Sequence, residues 1–134
     1  MDEPTLFVDA MNVMRSRWPN LPAERLIQLT RAWADHEGVR ALIVFDGQAP
    51  GHAAGTSLLD EWASIVGTGA GTADDWIVKE VERMAREGHR LWLVSSDREL
   101  RQRVSPYVER SIGGGSFVKR LDAFDGDHPS RARG

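Results

Sequence analysis

The sequence predicts an α/β domain in which helices cover both faces of a mostly parallel sheet, giving three layers. Three apolar runs have the composition of buried parallel strands: Thr5–Val8, Arg40–Phe45 and Arg90–Val94. Segments with helical spacing of apolar residues separate these runs, so strands and helices alternate along the chain. Because crossovers between parallel strands are right-handed, the carboxyl ends of all these strands should meet at one edge of the sheet.

The helices are predicted from apolar spacing and from residues that begin helices. Apolar residues recur at helical spacing between Pro22 and Glu37. Thr72 can cap a helix over Ala73–Glu87, which has the clearest apolar stripe in the chain. A short arginine-rich helix should follow Asp97, and Ser116–Phe124 should form the last helix.

The remaining segments have weaker patterns. Gln48–Ser57 is rich in Gly and Ala and predicts a mobile loop, and Leu58–Trp62 predicts a helical turn. Ala63–Val66 predicts a short edge strand, and Val108–Ile112 predicts a last strand.

Length and composition bound the class of protein. A chain of 134 residues fits one domain, which we expect to span residues 1–124 with a disordered tail over residues 125–134. The 41% of hydrophobic and 28% of charged residues are typical of a globular protein. The absence of cysteine excludes disulfides, thiolate zinc sites and a cysteine nucleophile. A bound metal would therefore have oxygen or imidazole ligands, which favours Mg²⁺ or Mn²⁺.

The charge and hydropathy patterns bear on location and partners. No apolar run approaches the roughly 20 residues that span a bilayer, and the acidic start of the chain is unlike a signal peptide. We therefore expect a cytoplasmic protein with no membrane partner. The net charge of −3 argues against nucleic-acid binding by general basicity. Acidic residues gathered into one metal site would leave the arginines elsewhere to contact phosphates.

Aspartates stand where the predicted strands end. Asp9 and Asp46 directly follow two strands, Asp97 lies just beyond a third, and Asp74 and Asp75 lie in the first turn of the clearest helix. Each alone could be a turn residue, a helix cap or a compensation of the helix dipole. Together at one edge they would repel one another unless some were protonated or a divalent cation neutralised them. The pattern therefore predicts a metal site suited to hydrolysis by in-line phosphoryl displacement.

Polar residues beside these aspartates are candidates for supporting roles. Asn12 should lie in the turn after the first strand, where its amide could hold Asp9 or a substrate phosphate, although it could also be a helix cap. Ser95 and Ser96 could orient Asp97 or donate hydrogen bonds to a phosphate.

Four arginines near the predicted edge are candidates for contacts with a nucleic-acid backbone. They are Arg15, Arg17, Arg98 and Arg101, and Trp18 could stack on an unpaired base. The alternative is that these side chains are ordinary solvated charges.

Four short motifs together resemble the NYN domain, in its YacP-like branch. They are Val8–Asn12, Phe45–Gly47, Thr72–Ile77 and Ser95–Leu100, and they occur in the order that the family has. The resemblance extends from about Thr5 to Leu121 and includes a glycine-rich turn before the last helix.

This resemblance implies a PIN-like (Rossmannoid) nuclease fold and a Mg²⁺- or Mn²⁺-dependent endoribonuclease acting on single-stranded RNA. It implies Asp9, Asp74 and Asp97 as the core acidic residues, supported by Asn12 and Asp46. With Asp75, these aspartates are the expected metal ligands, whereas Ser96 joins the four arginines as an expected RNA contact. Because some relatives act on mRNA at ribosomes, ribosome-associated mRNA is one form of the implied partner.

Three other functions compete with this interpretation. Gly67–Thr72 suggests a dinucleotide-binding turn, but Thr72 replaces the third glycine and the two aspartates that follow would repel a phosphate. A haloacid-dehalogenase-like phosphatase would need an aspartate where Met11 stands. The third alternative is a PIN-like module that binds RNA or a protein without cutting, in which a carboxylate cluster would have no chemical purpose.

Overall fold

A six-stranded sheet forms the centre of the computed structural model, which describes residues 3–127. Eleven elements follow one another along these residues. They are β1 (Thr5–Asp9), α1 (Ala10–Met14), α2 (Ala23–Glu37), β2 (Arg40–Phe45), β3 (Gly55–Leu58), β4 (Ala63–Gly67), α3 (Ala73–Arg86), β5 (Leu91–Val94), α4 (Arg98–Val104), β6 (Arg110–Ile112) and α5 (Gly114–Asp127).

The strand order is β3-β4-β2-β1-β5-β6, and every neighbouring pair is parallel except β3 and β4. In the register of the central strands, Asp9 lies opposite Val44, and Val8 lies opposite Val94. The carboxyl ends of β1, β2 and β5 therefore reach the same edge of the sheet. This topology confirms the predicted α/β fold with a mostly parallel sheet.

The two faces of the sheet are buried by different helices. On one face, Leu6 and Val8 belong to a core cluster shared with α1, α2 and α5. On the other, Phe7 belongs to a second cluster shared with α3 and α4. Alternation along β1 sends successive side chains to opposite faces, and the whole strand is buried. These three layers explain why the parallel strands are apolar runs rather than alternating patterns.

The structure corrects the prediction for residues 48–62. Part of the predicted loop and the first residue of the predicted helical turn form β3, which pairs antiparallel with β4. After β3, the Asp60 carboxylate accepts hydrogen bonds from the backbone N–H groups of Trp62 and Ala63 at 2.8 and 2.9 Å, making a tight turn. Because β3 forms the edge, β4 is an interior strand and not the predicted edge strand.

Two helices also differ from prediction. Asn12 lies within α1 rather than in a turn, because α1 begins immediately after Asp9. Helix α5 begins at Gly114 instead of Ser116 and continues past the predicted domain boundary at residue 124. Within its added turn, Asp125 forms an ion pair with Arg25 at 2.9 Å. Residues 128–134 of the predicted tail lie outside the described residues.

Within residues 3–127, no helix combines the length and the hydropathy that crossing a bilayer requires.

Candidate active site

Asp9 is the most buried carboxylate at the sheet edge, with 6% of its surface exposed. It ends β1, and its Oδ2 accepts a hydrogen bond from the Ser95 hydroxyl at 3.0 Å. Burial raises the pKa of Asp9, and the negative charges of Asp46 and Asp97 act in the same direction. The Ser95 hydroxyl and the backbone N–H of Asn12 lower the pKa and so favour the charged form.

Ser95 connects two of the predicted catalytic residues. It directly follows β5, is fully buried, and donates its backbone N–H to the Ile112 carbonyl at 2.9 Å. Its hydroxyl donates to Asp9 and accepts from the backbone N–H of Asp97 at 3.1 Å. One hydroxyl therefore fixes the spacing between the ends of β1 and β5.

Asp97 caps the helix that follows it. Its Oδ1 accepts a hydrogen bond from the backbone N–H of Leu100 at 3.1 Å, so the predicted helix after Asp97 begins at Arg98. The cap and the contact with Ser95 orient this side chain at the sheet edge.

Asp46 ties the end of β2 to the beginning of α3. Its Oδ1 accepts a hydrogen bond from the backbone N–H of Ala73 at 2.6 Å, while its side chain is exposed to solvent. Thr72 caps the same helix by accepting from the backbone N–H of Asp75 at 3.1 Å. These two contacts position the first turn of α3, which carries Asp74.

Asp74 is half-buried and faces the other carboxylates. Burial is the largest cause of its raised pKa, followed by the charges of Asp9 and Asp97, with a smaller effect from Asp46. Arg103 lowers the pKa of Asp74. The mutual influence of these aspartates indicates that the fold brings four of the five predicted metal ligands into one electrostatic cluster.

Asp75 is set apart from this cluster. Its side chain is 63% exposed and its Oδ1 forms an ion pair with the Arg103 guanidinium at 3.3 Å. Sequence reasoning did not identify Arg103, because its partners lie on α3 and it belongs to α4. No local spacing signals that pairing.

A second chain of hydrogen bonds closes the site beside Asp97. The Asn12 Oδ1 accepts from the backbone N–H of Ser96 at 2.9 Å, and the Ser96 hydroxyl accepts from the backbone N–H of Gly114 at 2.8 Å. A Cβ atom at Gly114 would lie 2.7 Å from the Asn12 Oδ1, so a larger residue there would displace the Asn12 side chain from its hydrogen bond with Ser96. Asn12 and Ser96 thus join α1 and α5 to the segment after β5.

The donor chemistry of the four-aspartate cluster fits a hydrated hard cation. Among residues 3–127, no three His, Cys, Asp or Glu side chains converge as a ready set of metal ligands. Mg²⁺ typically retains several waters and needs only one or two protein carboxylates. Burial is the largest cause of the raised pKa of Asp9 and of Asp74, and the charges of neighbouring aspartates raise both further; a divalent cation relieves that repulsion.

The four predicted RNA-contacting arginines divide into two pairs. Arg98 and Arg101 line a cleft of about 500 Å³ together with Ser96, next to Asp97. Arg15 and Arg17 are exposed after α1, where Arg17 makes an ion pair with Asp122 at 3.1 Å. Trp18 is 89% exposed in the same segment.

Comparison with known families decides the family. The family model of the YacP-like NYN domain matches residues 6–128. The chain belongs to the YacP-like NYN family. This result confirms the resemblance found in the sequence motifs, and it supports a nuclease-type function related to RNA.

Solved structures of Rae1 (YacP) from Bacillus subtilis have a similar fold. One crystal structure superposes with a TM-score of 0.70 at 20% identity, covering 99% of this chain and 80% of that chain. The structure of its W164L mutant gives a TM-score of 0.69 at 18% identity, covering 92% of this chain and 78% of that chain. A comparison with curated protein sequences gave no match.

Proposed function

We propose that this domain is a metal-dependent endoribonuclease that hydrolyses phosphodiester bonds in single-stranded RNA. The observation that carries the proposal is that aspartates at the ends of β1 and β2, in the first turn of α3 and after β5 lie at one edge of the sheet, where burial and then the charges of their neighbours raise the pKa of Asp9 and Asp74. A cluster of this kind destabilises the fold unless it has a ligand, and the family membership supports a nuclease-type function.

Asp9, Asp74 and Asp97 are the residues that we propose to hold a hydrated Mg²⁺ or Mn²⁺, directly or through its water ligands, with Asp46 supporting them. A bound divalent cation supplies activation of water and stabilisation of the charge that develops on the phosphoryl group. The chain itself supplies orientation. Ser95 holds Asp9 against the Asp97 backbone, and Asp46 holds the helix that carries Asp74.

Asp75 is not in this proposed set. Its exposed carboxylate pairs with Arg103, whose positive charge also acts on Asp74. We propose that Asp75 positions Arg103 beside the acidic cluster.

Single-stranded RNA is the proposed substrate because arginines flank the acidic cluster. Arg98 and Arg101 lie in the cleft next to Asp97, where guanidinium groups can contact phosphates. We propose a cytoplasmic activity. Its substrate tests should include mRNA engaged by ribosomes, the form of RNA that the resemblance to YacP-like proteins implies.

The proposal is tested by cleavage of a labelled pool of single-stranded RNA in Mg²⁺, Mn²⁺ or EDTA. Wild-type protein should cut the pool only with metal, and Asp97→Asn should lose most of this activity. The substitution keeps an oxygen that can cap α4, so the fold should persist. Asp35→Asn is the matched control, since Asp35 is exposed near the end of α2 that leads into the amino end of β2. Wild-type rates in Asp97→Asn would contradict the assignment of Asp97.

A module that binds RNA or protein without cutting is the second candidate function. It is favoured by the lack of three converging ligands among the described residues. RNA binding by a wild-type protein that cuts none of the RNAs with either metal would support this candidate over the nuclease.

A further inference from the structure

We propose that the cleft between α4 and β6 binds one nucleotide of the RNA strand next to the cleaved bond, and that Gln102 determines which base is preferred there. This inference rests on the proposed function, because it assigns the substrate-binding part of the same site. The α4–β6 cleft is lined by Ser96, Arg98, Arg101, Gln102, Ser105 and Ser111.

One face of α4 forms a wall of the α4–β6 cleft. Residues 98, 101 and 102 of α4, and residue 105 at its C-cap, are spaced i, i+3, i+4 and i+7. They therefore lie on one side of the helix. Leu100 and Val104 occupy the opposite side and are fully buried. The helix is therefore anchored by apolar contacts while its polar face remains available to a ligand.

The opposite wall is tied to α4. The Arg101 guanidinium donates to the Ser111 carbonyl at 3.4 Å, joining the helix to β6. Ser96 lines the cleft and directly precedes Asp97, so the cleft lies beside the acidic cluster. A strand of RNA that places a phosphate at the acidic cluster would thus have an adjacent nucleotide within reach of the cleft.

The chemistry of the α4–β6 cleft complements a nucleotide. Two guanidinium groups line it and no carboxylate does, in contrast to the acidic cluster next to it. The arginines can contact phosphates, whereas the Gln102 amide presents a donor and an acceptor side by side, as recognition of a base edge requires. Its volume of about 500 Å³ lies in the range of small-ligand sites.

This chemistry favours an unpaired base over a duplex. Unstacked bases in single-stranded RNA can enter a pocket and be recognised on their Watson–Crick edge, which in a duplex is occupied by the partner base. Because the arginines contact phosphates and Gln102 contacts the base, replacing the arginines should change overall affinity, and replacing Gln102 should change base preference.

The test is selection of a random single-stranded RNA library by binding in EDTA, followed by sequencing of the bound pool. Wild-type protein should enrich one base, and Gln102→Ala should lower that preference about fivefold or more. Arg98→Ala with Arg101→Ala should weaken binding to all sequences and flatten its salt dependence. Gln28→Ala, on α2 and outside the cleft, is the matched control and should keep the wild-type preference. Thermal melting of each variant checks folding.

A wild-type pool without base preference would overturn the assignment of Gln102, and so would an unchanged preference in Gln102→Ala. Wild-type affinity and salt dependence in the double arginine variant would overturn the phosphate contacts. Because the selection requires no cleavage, its outcome is separate from that of the nuclease. An inactive protein whose base preference depends on Gln102 would refute the proposed catalysis and leave the nucleotide site standing.

Discussion

The acidic edge has two parts that are built differently. On the β1–β5 side, the carboxylates of Asp9 and Asp97 each accept a protein hydrogen bond, and the buried Ser95 hydroxyl connects the Asp9 carboxylate to the backbone N–H of Asp97. On the α3 side, no hydrogen-bond donor among residues 3–127 contacts the Asp74 carboxylate, although its helix is held by Asp46. The first part has its geometry fixed by the protein, and the second has a positioned but unpaired carboxylate.

This difference separates carboxylates that the protein orients by hydrogen bonds from a carboxylate whose oxygens are available to a ligand. A carboxylate that is already hydrogen-bonded contributes structure as well as charge, so replacing it changes both. Asp74 contributes negative charge to a half-buried cluster without a compensating hydrogen bond from the described residues. Residues retained at a cost in stability are typical of functional sites. Asp74 is therefore the residue at which activity and stability should diverge most clearly.

The largest predicted effect belongs to Asp74→Asn. Cleavage should fall by about a hundredfold or more, because even residues that only orient metal ligands contribute about 10- to 100-fold. The free energy of unfolding without metal should rise, since one of four repelling charges is removed. Initial cleavage rates and urea unfolding measure the two quantities, with Asp35→Asn as control. A variant that is both inactive and less stable than wild type would show that Asp74 stabilises the fold, as the hydrogen-bonded carboxylates of the β1–β5 side do.

Ser95→Ala should weaken the β1–β5 side in the opposite manner. The substitution leaves the Asp97 N–H and the Asp9 carboxylate without their shared hydroxyl, so stability should fall by about 1–3 kcal/mol. Cleavage should fall about tenfold or more, together with the apparent affinity for Mn²⁺. Ser64→Ala, at a half-buried position on β4, serves as control. A stability loss with unchanged metal affinity and cleavage would limit Ser95 to a structural role.

The pH dependence of stability distinguishes wild type from Asp74→Asn. The pKa of Asp9 and of Asp74 is raised above 3.8, so the folded state binds more protons than the unfolded state between 3.8 and the raised values. These groups therefore favour folding below 3.8, and that contribution is lost as pH rises through the raised pKa. The advantage of Asp74→Asn should be full at neutral pH and shrink as pH falls.

Urea unfolding in EDTA between about pH 4 and 7 measures this advantage. Taking the difference between the two proteins removes the opposite contribution of groups such as Asp60, whose pKa is lowered. If the free energies of unfolding of wild type and Asp74→Asn changed with pH in parallel, the negative charge of Asp74 would not destabilise the folded state.

The smallest predicted effect belongs to Asp75→Asn. Its partner Arg103 is exposed, and exposed ion pairs contribute at most about 1 kcal/mol. Cleavage should change by less than about fivefold, the rate equivalent of that energy. A loss as large as that of Asp74→Asn, measured side by side in the same assay, would return Asp75 to the metal ligands.

The parts of the fold that bury apolar surface could be predicted from the sequence. Strands β1, β2 and β5 are buried on both faces and so stand out as apolar runs, and α3 has a clear apolar stripe with Thr72 as its cap. Strand β3 is largely exposed at the sheet edge and has no such pattern, so its sequence predicts a loop and a helical turn instead of a strand. Helix α5 begins with two glycines, which are poor helix formers, so the sequence predicts its start two residues too late.

The same distinction applies to the candidate site. Parallel strands bring their carboxyl ends together, so the grouping of Asp9, Asp46 and Asp97 follows from topology. The capping of α3 by Asp46 and the pairing of Arg103 with Asp75 depend on side-chain geometry between separate elements. No sequence spacing encodes those contacts.

Thermal melting with and without metal tests most directly whether the acidic cluster is a cation site. Mn²⁺ or Mg²⁺ should raise the Tm of the wild type, on the order of 10 °C at a hundredfold excess over Kd, and EDTA should reverse the shift. Asp74→Asn should begin from a higher Tm in EDTA and gain less from metal. A wild-type Tm that does not respond to either metal at millimolar concentrations, or an equal gain in Asp74→Asn, would contradict the account.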